Sequence, residues 1–354
     1  MQYEITIPLD GGAPTSGFVA SGRNKAHERT MSMKKSSILS TVSACLVFLI
    51  IFACTERNQE DDFPMLKGPY LGQKPPGMTP EIFAPGIISL EGSYEGGATF
   101  SYDGTYFCYK KNFNNNPDVE KIGISKYEDG KWTFPNLAPF SSDAQFSDWD
   151  FQFSSFEKKL YFTSNQPAVL NGKTLKPSNI WVTSYASGKW SKPELLGIPI
   201  NTENSYSGYP SITKNGTIYF HSEREDTIGE TDIYRSRYEK GEYIIENLGY
   251  PVNSPESDLD PCIAPDESYL LFLSRRNKNT KYNNHLFVSF RDENDQWSEP
   301  VDLDPILGVA ALPGISPDGK YIFFTKGDYG DSNSFDIYWV DATFIEEFKP
   351  DTLK

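Results

Sequence analysis

Two short stretches, Asp148-Trp-Asp150 and Asp258-Leu-Asp260, repeat one spacing of two carboxylates around a single apolar residue. On a β-strand residues two apart point the same way, so each pair is expected to aim both carboxylates at one place. Groups of this kind serve as acid and base in glycoside hydrolysis, as ligands for a hard cation such as calcium, or as an electrostatic mouth for a basic group or a sugar. The plainer alternative is that they accept backbone N–H groups at loop ends. Other chemistry lacks its residues. No G-x-S-x-G elbow or phosphate-binding glycine loop occurs. After the N-terminal region only His221 and His285 remain, too few for a His-rich zinc centre. No cofactor and no metal is expected.

The elements that must position the carboxylates are repeated. Five segments recur every 50 to 60 residues: 100–107, 153–162, 212–220, 263–272 and 315–324. Each reads as strand, turn, strand, most clearly in Ile315-Ser-Pro-Asp-Gly-Lys-Tyr-Ile-Phe-Phe324, where Pro317, Asp318 and Gly319 suit the tight positions. The second strand of each is a short, nearly continuous apolar run, as expected of a strand covered on both faces. A third strand follows, for example Asp232-Ile-Tyr234 or Asp336-Ile-Tyr338, whose aspartates are expected to cap turns. In four units a fourth opens near Trp132, Trp190, Tyr243 or Trp297, with the tryptophans packing between units.

Four strands per unit predicts an all-β chain, a single β-propeller of five blades with six as the competing count. The last unit has no fourth strand of its own. Pro80-Glu-Ile-Phe-Ala-Pro-Gly-Ile-Ile88 matches the outer-strand segments at Pro193 and Pro300, so the N-terminal segment is expected to close the ring and remove its exposed edges. Aligning the innermost strands stacks Gly97, Asp150, Tyr209, Asp260 and Leu312 in one ring, and Glu95, Asp148, Ser207, Asp258 and Ala310 in another. The candidate ligand-binding residues at the channel mouth are therefore Glu95, Asp148, Asp150, Tyr209, Asp258 and Asp260. The hairpin S-P-D-G-x-x-[IL]-x-F followed by D-I-[YW] resembles the TolB-type, WD40-like β-propeller repeat family over residues 81 to 345. Ser101-Tyr-Asp-Gly104 and Ser154-Ser-Phe-Glu157 depart from it by lacking the proline.

Upstream lies an address. Met33, Lys34-Lys35 and the apolar run to Ala53 have the shape of a signal peptide, and the run is shorter than the roughly 20 residues a spanning helix needs. Ile51-Phe-Ala-Cys54 resembles the lipobox of bacterial lipoproteins, which implies a lipid attached to Cys54, with Phe52 bulkier than the pattern prefers. The expected organisation is an upstream extension (1–32), a signal peptide (33–53), a solvated tether (54–79), the propeller (80–348) and a tail (349–354). Thr55 in place of aspartate points to the outer membrane. Cys108 and Cys262 are expected to be buried thiols.

Composition narrows the partners. Lys+Arg 33 against Asp+Glu 48 leaves a net charge of -15, which repels nucleic acid. A mean hydropathy of -0.50 excludes a polytopic membrane protein. The functional expectation is an envelope-anchored, non-enzymatic module binding a protein, peptide or glycan, with a carbohydrate-active enzyme using the channel carboxylates as the alternative.

Overall fold

The computed structural model describes residues 62–353, except 112–118, 142, 144, 278–283 and 329–333. The extension, the signal peptide and Cys54 lie outside the described residues. Five antiparallel sheets form the five blades of a propeller. Their innermost strands are Glu95–Phe100, Asp148–Phe153, Ser207–Ile212, Asp258–Ile263 and Ala310–Ile315 in blades 1 to 5. Among the described residues no sixth blade arises from the degenerate start, because that hairpin, 100–107, is the turn of blade 1 itself.

The ring closes between the two ends of the propeller. Glu81–Ile82 pairs antiparallel with Asp336–Asp341, Glu81 opposite Trp339 and Ile82 opposite Tyr338, and supplies the outer strand of blade 5. Phe83 follows, donating its N–H to the Ile337 carbonyl and burying its ring completely. The last unit ends in a 3-10 turn over Ala342–Phe348, which buries Phe344 and Ile345.

Residues 62–79, expected from their polar, proline-rich composition to be a solvated tether, lie against the ring. The Trp132 indole donates to Gly68 O, Gly77 O accepts from Asp341, and Tyr70 packs edge-on against Phe100 and Tyr321. Few apolar residues suffice because they sit on the seam between blades 1 and 5.

Hydrophobic burial is concentrated at the seams. Among the described residues the buried clusters alternate around the ring, for example Tyr106, Phe153 and Phe162 between blades 1 and 2, and Ile233, Ile263 and Phe272 between blades 3 and 4. Trp190 joins the first and Trp297 the second, so these tryptophans serve inter-blade packing. Cys108 and Cys262 are buried free thiols.

Candidate functional site

Every innermost strand carries a bulge at one position. The pairing with the second strand slips at Gly96/Ala98, Trp149/Gln152, Gly208/Ser211, Leu259/Cys262 and Ala311/Gly314. Inside the slips, Gly97, Asp150, Tyr209, Asp260 and Leu312 adopt φ between 48° and 55°. For four of the five this is a left-handed conformation that costs energy in a residue bearing a Cβ. The aligned ring is thus a ring of bulges, and the bulge breaks the strand alternation that would have aimed Asp148 with Asp150 and Asp258 with Asp260.

The two members of each pair consequently separate. Asp148 is buried, accepting from the Ser141 hydroxyl at 2.6 Å and pairing with the fully buried Lys121 ammonium at 3.3 Å. Asp258 accepts from the Ser254 N–H and hydroxyl and from Arg276 at 2.8 Å. Glu95 takes the same position in blade 1, held by Leu90 N–H, the Ser93 hydroxyl and Lys111. These three carboxylates pin the loops that enter each blade. They are fully engaged inside the fold.

Asp150 and Asp260 instead face the axis with Tyr209. A second ring, which sequence reasoning missed, comes from the penultimate residue of each second strand: Lys110, Thr163, His221, Leu273 and Thr325. Thr325 Oγ1 accepts the Gly97 N–H, Thr163 Oγ1 that of Tyr209, and His221 Nδ1 that of Asp260, each across a blade boundary. His221 is therefore unprotonated on Nδ1, and burial pushes its pKa down to about 3. Lys110 cannot accept, and it sets its charge beside Asp150 instead. The signal was a polar residue ending an otherwise apolar run, but its partner lies in the next blade.

Asp150 and Asp260 are largely withdrawn from water, the Asp260 side chain being 14% exposed. Burial raises Asp150 well above the usual carboxylate range, the Asp260 charge raises it further, and Lys110 opposes both. Burial likewise pushes Asp260 up to about 6 against Lys110 and Arg275. Burial works against the Lys110 charge, yet Tyr94, Glu120 and Asp150 hold it charged. Lys110, ion-paired with Glu120 at 3.0 Å, thus also opposes the rise at Asp150 and Asp260.

The void lined by Lys110, Asp150, Gln152, Tyr209, Leu312 and Pro313 measures about 10 Å³, the space of a single water. The Tyr209 hydroxyl crosses the channel to donate to Pro313 O at 2.8 Å, and the Gln152 amide reaches Cys262 Sγ at 3.4 Å. Larger clefts lie off the axis. One of about 320 Å³ is bounded by Leu170, Lys173, Leu175, Ile198 and Glu203, and another of about 260 Å³ by Tyr70, Phe100, Tyr102, Asp103 and Asp318. Among the described residues no group of three or more His, Cys, Asp or Glu side chains could hold a metal ion.

No family model matches the chain, and no curated protein matches it. Solved structures with a similar fold include a putative TolB from Agrobacterium tumefaciens, at 14% identity and a TM-score of 0.43 over 70% of this chain and 77% of that one. The arabinanase Arb43A of Bacillus subtilis aligns at 12% identity and a TM-score of 0.45 over 72% and 94%. TolB from Acinetobacter baumannii aligns at 13% identity and a TM-score of 0.40 over 71% of this chain, which spans 57% of that protein.

Proposed function

We propose that this chain is a non-enzymatic binding module for a protein, peptide or glycan of the cell envelope, tethered through a lipid on Cys54 at the outer membrane. The observation that carries the reading is the filled channel. A void of about 10 Å³ beside Asp150 has no room for a sugar ring, and the remaining carboxylates, Glu95, Asp148 and Asp258, are committed to loops. Ligand contact then falls to the clefts outside the axis. A second reading, glycoside hydrolysis, draws on one observation: a carboxyl held near 6 beside a second one is what a general acid requires.

The test uses envelope fractions from cells expressing the full chain. The protein should sediment with membranes and retain an envelope peptide or glycan intact. Cys54→Ala should release it to the soluble fraction without altering that binding. Cleavage of the retained glycan, abolished by Asp150→Asn, would replace the binding reading with the enzymatic one.

A further inference from the structure

The outer strand of blade 3 differs from the other four. Ala138, Leu196, Leu248, Leu303 and Phe83 donate their N–H groups to equivalent carbonyls of the third strands, which aligns the five outer strands residue by residue. Three residues earlier stand Pro135, Pro193, Ile245, Pro300 and Pro80. In blades 1, 2 and 4 a hydroxyl residue before the proline also turns back on the third strand: Thr133 Oγ1 accepts from Lys126, Ser191 Oγ from Ser184 and Ser298 Oγ from Phe290. Proline and local irregularity are the usual protections of a sheet edge. Blade 3 has neither.

Its outer strand, Glu242–Asn247, accordingly pairs without a register shift over six residues, whereas each paired stretch of the other outer strands spans two. Leu248 N–H bonds inward to Ile233 O, so antiparallel alternation turns the N–H groups of Glu246, Ile244 and Glu242 inward and those of Ile245 and Tyr243 outward. Among the described residues nothing accepts these two. The side chains around them are apolar and open, with Tyr238 61%, Tyr243 42% and Ile244 45% exposed. Glu242 is exposed and has no ion pair among the described residues, and the chain as a whole carries -15.

We infer that this edge is a docking site for an extended segment of another protein, which adds a fifth strand to blade 3 and alternates apolar with basic residues. Main-chain bonds to Tyr243 and Ile245 supply the affinity. An apolar side chain opposite Tyr243 and a lysine or arginine opposite Glu242 supply the selection. The net charge of -15 favours a basic strand over a second copy of this chain, which would bring its own negative charge to the contact. This surface is independent of the channel and of the lipid anchor.

The probe is a fluorescent peptide of alternating valine and lysine, titrated into the full chain and read by anisotropy. Tyr243→Pro removes an outward N–H that the ladder does not use, so the fold should persist, checked by its thermal midpoint, while peptide affinity falls by at least about tenfold. The same peptide N-methylated on alternate residues keeps its charge but not its donors, and should bind as weakly to the unmodified protein. Equal binding of the methylated peptide, or of an alternating valine and glutamate peptide, would overturn the proposal. So would a concentration-dependent dimer in sedimentation that Tyr243→Pro abolishes, because the edge would then belong to a second copy.

Discussion

Phe83→Ala is expected to destabilise the propeller by about 3–5 kcal/mol, the range for truncating a fully buried phenylalanine. Phe83 stands edge-on to Phe323 at 5.3 Å and to Trp339 at 5.2 Å from blade 5, and packs against Phe107 of blade 1 at 5.3 Å. Its ring touches both blades across the closure, beside the contacts made by Tyr70 and by Phe100 with Phe323. The adjoining pairing involves only Glu81 and Ile82, so few hydrogen bonds remain to hold the seam once the ring is gone. Denaturant unfolding gives the size of the loss, and limited proteolysis should show earlier cleavage between residues 62 and 83. Phe156→Ala, at a half-exposed position, is the reference and should change stability by less than about 0.5 kcal/mol. A Phe83→Ala loss below about 1 kcal/mol would mean that closure does not depend on this residue.

Lys121→Met is expected to cost a similar amount, about 3–5 kcal/mol, by a different route. The Lys121 ammonium is wholly buried, donates to Asp143 O at 2.6 Å and to Phe146 O, and faces Asp148. Methionine fills much the same space but leaves the Asp148 carboxylate buried with the Ser141 hydroxyl and no cation. Asp148→Asn alone should also destabilise, since it strands the cation. The two losses should not add. A double mutant close to the worse single one identifies a mutually dependent pair, and strict additivity would show that the two groups act separately.

Much of this fold was legible because a propeller is one unit written several times. The apolar second strands and their hairpin turns set the frame, and their alignment places Asp150, Tyr209 and Asp260 in one ring. The same alignment failed on side-chain direction. Strand alternation joins Asp148 to Asp150, but the left-handed bulge at Asp150 uncouples them, and nothing in Asp-Trp-Asp announces a positive φ on an aspartate. Lys110 and His221 were illegible for another reason. Each meets its partner in the following blade, about 40 residues away, at a contact that exists only once blades pack. Residues 62–79 were misread because composition reports solvation on average, and here Tyr70 and Leu71 decide the placement. The proline missing from blade 3 was visible, but its meaning depends on knowing which strand is outermost.

Closure of the channel at Asp150 and Asp260 underlies the proposed function, and thermal unfolding of the Asp150→Asn/Asp260→Asn double mutant beside the parent tests it most directly. Burial raises both folded pKa values above the unfolded value of about 3.9. The stability held by the protonated carboxyls is therefore complete below that value and is lost as pH rises through about 6. His221, depressed by burial, acts in the opposite sense, adding stability above about 6.5 that is lost on acidification, but it is present in both proteins and largely cancels in the difference. Asparagine cannot ionise, so the midpoint of the double mutant should gain on that of the parent steadily between about pH 4 and pH 7. A gap that stays constant over this range, or a double mutant that loses ground as pH rises, would mean that the two carboxylates are solvated in an open funnel.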